Sequence, residues 1–203
     1  MGDSIEQKIL SRIRKHEQGA AFSPKDFTDL GSRQAVDVAF HRLETKGAIR
    51  RILRGIYDVP RMGKLTGKPA SPNVWSVAQT IARKNGWKIL PSGETALNAL
   101  GLSTQVPANY LFFTDGQNKS YSIGNTHIDF RHRKPKELMQ ANGKCSLVTQ
   151  ALKALGKNHI DGSVVEKLRS QLTVKERRML LSDSQYATAW ILDAVKKICR
   201  KDD

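Results

Sequence analysis

The sequence is poor in cysteine and offers no regular set of metal ligands. Cys145 and Cys199 are the two cysteines among 203 residues, and 53 residues separate them. Zinc sites combine closely spaced cysteine and histidine pairs, and the five histidines form no such set with these cysteines. We therefore expect no metal, no other cofactor and no disulfide framework, and we interpret both thiols as reduced, as is usual in the cytoplasm.

Long apolar runs, a secretion signal and catalytic motifs are also lacking. No stretch approaches the roughly 18 consecutive apolar residues that a membrane-spanning helix needs. Residues 1–4 lead into no apolar run of the kind found in signal peptides. There is no G-x-x-x-x-G-K phosphate loop and no cysteine–histidine nucleophile motif. From these absences we expect a soluble, cytoplasmic protein that is not an enzyme.

Positive charge is what the sequence has in excess. The 34 lysines and arginines outnumber the 19 acidic residues, which gives a net charge of +15. Residues 1–72 carry 14 basic and 8 acidic side chains, and residues 73–203 carry 20 and 11, so the surplus is spread along the chain. A surplus of this size is typical of proteins with a polyanionic partner, most often nucleic acid. A generally basic, soluble surface would have the same composition.

The stretch 23–59 arranges part of this charge in a recognisable order. Ser23-Pro24 is a favourable helix start, and a two-residue turn at 31–32 leads into a second helix over 33–46, which Gly47 ends. A hairpin over 49–59 follows, with its turn at Arg54-Gly55. With the amphipathic helix predicted over 5–17, this is the layout of a winged helix-turn-helix, in which one helix enters the major groove and a basic hairpin lies along the phosphates.

The helix over 33–46 has one apolar and one polar face. The start of a helix in the major groove lies nearest the base edges, where Arg bonds guanine, Gln bonds adenine and Val meets a thymine methyl group. Asp37 is expected either to accept from a cytosine amino group or to pair with Arg33 or His41. The alternative is a solvated face in a winged domain that binds protein. The candidate DNA contacts from this helix are Ser32, Arg33, Gln34, Val38, His41 and Arg42.

Two further groups of basic residues are candidates for phosphate contacts. The hairpin carries Arg50, Arg51 and Arg54, and side-chain alternation prevents all three from sharing one surface. The alternative is that a hairpin tip is polar because it is exposed. Arg131, Arg133 and Lys134 follow the last predicted strand. They are either secondary nucleic-acid contacts, to DNA or to an RNA such as a tRNA, or a solvated strand end.

The rest of the chain predicts a second, mixed domain. We expect a winged helix-turn-helix domain over 1–60, a linker rich in Pro, Gly and Lys over 61–72, and an α+β domain with C-terminal helices over 73–203. Within that domain, patterning predicts strands and helices at the following positions: strands 87–90, 110–114, 119–123 and 127–131; helices 74–86, 94–100, 145–155, 163–171, 174–181 and 184–200. The fold class is therefore α+β.

One arrangement would make the protein an enzyme. Glu94, Asp115 and Asp129 lie near the predicted strands and, together with Lys134, could form an acidic nuclease cluster. Such a set arises by chance in any mixed domain of this size. We therefore rank an enzyme third, below a DNA-binding protein and below a protein- or RNA-interaction module.

A resemblance to a known family rests on three segments. These are LPSGETALNALGLSTQVP at 90–107, YLFFTDG at 110–116 and RGIY at 54–57. Together they resemble the AbiEi-type antitoxins of type IV toxin–antitoxin (abortive infection) systems and their DUF6088-like relatives, over roughly residues 5–135. The glycines of the first segment bound a short helix, so we interpret that segment as a signature of the fold more than as a site.

The resemblance implies a function. In that family an N-terminal winged helix binds inverted repeats in its own promoter, and a C-terminal domain confers antitoxicity against a nucleotidyltransferase-like toxin without a stable complex. It implies that this chain is a DNA-binding autorepressor and antitoxin, with DNA contacts within 32–54 and no catalytic residues. The alternative is a protein- or RNA-interaction module that neutralises a toxin by contact, with the winged helix as a scaffold.

Overall fold

The computed structural model describes residues 4–200 except 16–18, 61, 63–66, 68, 104, 106–107, 135–137 and 139–142. These residues form a mixed α+β structure with two sheets, which confirms the predicted class. The chain divides into two compact units, residues 1–87 and residues 88–203. In the described part, no helix has both the length and the apolar composition needed to cross a bilayer.

The first unit contains helices and a small antiparallel sheet in the order β1-β3-β2. Its elements along the chain are α1 (Ile5–Arg14), β1 (Ala21–Phe22), a 3-10 helix (Pro24–Leu30), α2 (Arg33–Thr45), β2 (Arg50–Leu53), β3 (Ile56–Asp58) and α3 (Val74–Asn85). Four aromatic rings close the core, with neighbouring centroids 5.1–5.9 Å apart in edge-to-face contacts. They come from Phe22, Phe27, Phe40 and Tyr57, which joins the strands to the helices.

Local signals set most of these element bounds. Ser4 and Gln7 form the predicted capping box at the start of α1. The Ser32 hydroxyl accepts from the Ala35 N–H and caps α2. Pro24–Leu30 is a 3-10 helix, where an ordinary helix was expected. The Asp26 carboxylate there accepts from the backbone N–H of Ser23 at 2.8 Å, which tightens the first turn.

Helix α3 belongs to the first unit, although the sequence analysis placed it in the second. The Ser76 hydroxyl accepts from the Ala21 N–H at 2.7 Å, and the Thr80 hydroxyl donates to the Ala21 carbonyl at 2.9 Å. These bonds satisfy the edge of β1 that β3 leaves open. The boundary between the units therefore lies at Trp87–Lys88.

The predicted linker over 61–72 is described in part. Residues 61, 63–66 and 68 lie outside the described residues, and Met62 and Pro69 form an isolated antiparallel bridge. Likewise, the predicted helix over 5–17 runs to Arg14 as described, and positions 16–17 lie outside the described residues.

The second unit contains a four-stranded sheet and a helical C-terminal part. Its elements are β4 (Ile89–Pro91), α4 (Gly93–Ala99), β5 (Asn109–Thr114), β6 (Lys119–Ile123), β7 (Thr126–His132), α5 (Gly143–Leu155), a 3-10 turn (Lys157–His159), α6 (Gly162–Ser170), α7 (Val174–Asp183) and α8 (Ala189–Cys199). The strand order is β4-β5-β7-β6, so β7 lies between β5 and β6 and runs parallel to β5. The last helix begins at Ala189, five residues later than the predicted start at 184.

The 90–107 segment is built into the fold of the second unit. The Ser92 hydroxyl caps α4, and the buried Thr95 hydroxyl accepts from the Leu111 N–H at 2.9 Å, which ties α4 to β5. A Cβ atom on Gly93 would lie 2.7 Å from the Cβ atom of Ala154 on α5, so only glycine allows this approach of the two helices. These contacts agree with the interpretation of the segment as a signature of the fold.

We predict that Gly93→Ala lowers the free energy of unfolding by about 1–3 kcal/mol, because the new methyl group overpacks the α4–α5 contact. Gly162→Ala is the matched control. Gly162 is also the first residue of a helix, and nothing lies within 4 Å of the position its Cβ would take. Urea denaturation of both variants checks the prediction, which is contradicted if Gly93→Ala is as stable as Gly162→Ala.

Candidate nucleic-acid interface

Helix α2 buries one face and leaves the predicted contact face open. Val36, Ala39, Phe40 and Leu43 are each at most 4% exposed, as expected from their spacing. The Val38 side chain is 49% exposed on the opposite side. A valine with half of its surface exposed is available to an apolar partner. The polar candidates around it, Ser32, Arg33, Gln34, His41 and Arg42, are all exposed.

The candidates on this face differ in whether they already have partners. Arg33 pairs with Asp37 at 2.8 Å, which is one of the two roles expected for Asp37. Arg42 lies 3.5 Å from Glu6 of α1. Among the described residues, the side chains of Gln34 and His41 make no hydrogen bond or ion pair. The face therefore presents free amide and imidazole groups beside the exposed Val38.

Arg50 has a structural role that the sequence analysis did not foresee. Its guanidinium group donates two hydrogen bonds to Asp58, at 2.9 and 2.6 Å. The Asp58 side chain is only 2% exposed, so the arginine compensates a buried charge. The hydrogen bond to Asp58 raises the pKa of Arg50. We therefore no longer expect Arg50 to contact phosphate, because an Arg50 side chain that moved to a phosphate would leave the buried Asp58 carboxylate without a partner.

Arg51 and Arg54 remain as the cations of the hairpin. Both are exposed, and neither side chain has a hydrogen-bond or ion-pair partner in the described part of the chain. The backbone of the turn at Arg54-Gly55 is held by α3, because Lys84 Nζ donates to the Arg54 carbonyl at 2.9 Å. Lys25 in turn donates to the Lys84 carbonyl at 2.7 Å. The tip is thus positioned by backbone contacts that leave its arginine side chains in solvent.

Tyr57 of the hairpin packs against the buried face of α2. Its ring packs edge-on against Phe40 of α2, with centroids 5.1 Å apart. Burial raises the pKa of Tyr57, and the negative charges of Glu44 and Asp37 on α2 add to this effect, which the positive charge of Arg51 opposes. The hairpin is therefore joined to α2 through the core of the first unit.

Comparison with known proteins places the chain in a family. The model of a family of unknown function, DUF6088, matches residues 8–180. The chain belongs to this family. Among solved structures, the crystal structure of the RV2827C protein from Mycobacterium tuberculosis is similar, with 12% identity and a TM-score of 0.41 over 98% of this chain and 77% of that one. A comparison with curated proteins gave no match.

The second unit of this DUF6088 protein presents the other predicted basic group. Arg131, Arg133 and Lys134 are exposed at the end of β7. The Arg133 guanidinium lies over the Phe113 ring, 4.7 Å from its centroid. A cation stacked on an aromatic ring still offers its outer edge to an anion.

The carboxylates of the predicted nuclease cluster have separate local roles in the DUF6088 protein. Asp115 accepts from the Lys88 N–H at 2.8 Å, and Asp129 accepts from the Ser120 hydroxyl at 2.5 Å. Glu94 lies exposed in the first turn of α4. Within the described residues, no three His, Cys, Asp or Glu side chains are grouped so that they could hold a metal ion.

A cavity of ≈ 320 Å³ in the second unit of the DUF6088 protein is lined in part by Cys145. Burial raises the pKa of the Cys145 thiol to about 11, with smaller contributions from Asp183 and Glu176. At neutral pH this thiol is therefore protonated. Because the thiolate is the reactive form, Cys145 is a poor nucleophile.

Sequence reasoning missed three residues that shape this site. Glu6 contacts residues 36 and 40 positions away in the sequence, and Lys84 contacts a residue 30 positions away. No local sequence pattern reveals contacts of this kind. Asp58 could have been found in part, because an acidic residue in a hairpin with three arginines predicts an ion pair with one of them. A regular hairpin around Arg54-Gly55 would place Arg51 opposite Asp58, but the bulge between Arg51 and Leu53 places Arg50 there.

We predict that Arg50→Met lowers the free energy of unfolding by about 3–5 kcal/mol, because it leaves the buried Asp58 carboxylate without its partner. Arg51→Met is the matched control one residue away, and it should change stability by less than about 0.5 kcal/mol. Denaturant unfolding measures both. Equal effects of the two substitutions would contradict the structural role of Arg50.

Proposed function

We propose that this protein is a sequence-specific DNA-binding repressor of its own promoter and the antitoxin of a type IV toxin–antitoxin system. In this proposal, the first unit is a winged helix-turn-helix, with α2 as the recognition helix and the β2–β3 hairpin as the wing. The observation that carries it is the exposed face of α2, on which the side chains of Gln34 and His41 make no hydrogen bond or ion pair within the described residues and Val38 is half exposed, together with a hairpin whose Arg51 and Arg54 are exposed and equally unpaired there.

The chemistry of the α2 face supports base recognition. An amide such as that of Gln34 bonds adenine bidentately, and an apolar side chain such as Val38 contacts a thymine methyl group. His41 can donate or accept at a base edge. Arg33 and Arg42 carry carboxylate partners and would exchange them, wholly or in part, for guanine or phosphate. Ser32 caps the helix, so its contribution is a well-defined helix start near the backbone of the duplex.

The hairpin supports phosphate binding. Arg51 and Arg54 are exposed and unpaired in the described structure, while the backbone of the tip is held by Lys84. A rigid tip reduces the entropy that is lost when its side chains bind a phosphate. Each phosphate contact of this kind strengthens binding to all sequences alike and makes it more dependent on salt.

The antitoxin half of the proposal is supported by the resemblance to AbiEi-type antitoxins. The partners would be an operator with inverted repeats and a nucleotidyltransferase-like toxin that is neutralised without a stable complex. Arg131, Arg133 and Lys134 of the second unit would add secondary nucleic-acid contacts. Co-expression with a toxin encoded beside the gene tests this half. Restored growth supports it, and growth arrest despite folded protein contradicts it.

The DNA-binding half is tested by fluorescence anisotropy with the duplex just upstream of the gene and a scrambled duplex, at about 50 and about 200 mM salt. We expect a preference of about a thousandfold or more for the native site. Equal, steeply salt-dependent affinity for both duplexes would mean that the net charge acts alone. That result would favour the protein- or RNA-interaction alternative.

Two substitutions separate base contacts from phosphate contacts. We predict that Gln34→Ala weakens operator binding by about 1–3 kcal/mol and relaxes the preference at one base position. Arg54→Ala should weaken binding to both duplexes and reduce the salt slope by about one.

Arg14→Ala is the control for these variants. Like Arg54→Ala, it removes one exposed positive charge from the first unit, but the charge lies on α1 and outside the proposed interface. Its operator affinity and salt slope should stay near those of the wild-type protein. If Gln34→Ala and Arg54→Ala behave as Arg14→Ala does, α2 and the hairpin are not the interface.

A further inference from the structure

Glu6 ties helix α1 to the end of the proposed recognition helix. One oxygen of its carboxylate, Oε2, accepts from Lys46 Nζ at 2.6 Å. The other, Oε1, lies 3.5 Å from an Nη atom of Arg42. Lys46 and Arg42 are 36–40 residues from Glu6 in sequence and meet it because α1 packs across the last turns of α2.

The carboxylate is shielded, whereas its cations are not. The Glu6 side chain is 17% exposed, and the side chains of Arg42 and Lys46 are 64% and 63% exposed. Hydrogen bonding from Lys46 lowers the pKa of Glu6, so the group is ionised at neutral pH. A phosphate that approaches the two cations therefore meets a fixed negative charge directly behind them.

We propose that Glu6 is a specificity-determining residue that lowers the affinity of the protein for DNA of random sequence. This inference rests on the proposed function, because Arg42 is then part of the DNA-binding face, and Lys46 follows Arg42 by four residues at the end of the same helix. The Glu6 carboxylate offsets one of the two positive charges in the free protein, so the pair contributes less to binding that depends on phosphate charge alone.

The two cations are held to different degrees. Lys46 is a point charge in close contact with Oε2, and a phosphate must compete directly for it. Arg42 has five donors, and the single contact with Glu6 at 3.5 Å uses one of them weakly. The correct base can still engage the remaining donors of Arg42 bidentately and repay the loss of this contact. DNA of random sequence offers Arg42 and Lys46 phosphates alone, so the carboxylate weakens its binding and no base contact compensates for this loss.

The test compares Glu6→Gln with the wild-type protein on the operator and on a scrambled duplex, by the same anisotropy titration. Glutamine has nearly the same shape, removes the charge and keeps one of the two acceptor oxygens. Asp29→Asn is the matched control. It removes one negative charge and one ion pair from the same unit, the Asp29–Arg12 pair at 2.6 Å, which does not involve α2. Thermal melting of each variant checks that the fold is intact.

We expect Glu6→Gln to raise the affinity for the scrambled duplex roughly five- to tenfold at about 0.1 M salt and to steepen the salt slope by about one, as one further phosphate contact would. Operator affinity should rise less, so the specificity ratio falls. Asp29→Asn should change neither slope nor ratio appreciably.

Three results would overturn the proposal. The first is that Glu6→Gln affects the scrambled duplex no more than Asp29→Asn does. The second is that Glu6→Gln weakens binding to the operator alone, since Glu6 would then hold Arg42 in its binding position. The third is that wild-type protein binds neither duplex, which removes the proposed function together with this inference. In the first two cases wild-type operator binding is intact, so the DNA-binding proposal stands without this role for Glu6.

Discussion

The buried ion pair of Asp58 and Arg50 is the constraint around which the first unit is arranged. A carboxylate that is 2% exposed needs a partner, and the bulge in β2 brings Arg50 to it. Arg51, which is paired with Tyr57, is exposed, and Arg54 lies exposed at the tip of the hairpin. One arginine thus stabilises the fold, and the next two are left for a partner. The different roles of these arginines follow from the bulge in β2, which shifts the pairing of the hairpin by one residue.

Helix α3 supports the small sheet and the hairpin of the first unit. Its first turns cover the open edge of β1 through Ser76 and Thr80, and its last turn holds the hairpin tip through Lys84. The DNA-binding role that we propose therefore needs a longer segment than a helix-turn-helix and a hairpin. A fragment ending at residue 60 would lack the helix that satisfies β1 and positions the tip.

Net charge is a poor measure of the charge that a phosphate can use. The chain has a surplus of +15, yet several cations of α2 and the hairpin face carboxylates. Arg33 pairs with Asp37, Arg50 pairs with Asp58, and Arg42 and Lys46 share Glu6. A surface of this kind weakens attraction to any polyanion and leaves recognition to groups without charge, such as Gln34 and Val38. This pattern suits a protein that must distinguish one DNA sequence from many.

The sequence by itself determined the local elements, because they depend on short-range signals. Apolar spacing predicted the buried face of α2, caps at Ser4, Ser32 and Ser92 predicted helix starts, and Gly55 predicted the turn. The tertiary structure alone decided the rest. The insertion of β7 between β5 and β6, the place of α3, and the partners of Arg42 and Arg50 depend on residues distant in sequence or on a one-residue bulge. Periodicity reports which face of an element is apolar, and it holds no information about which element covers that face.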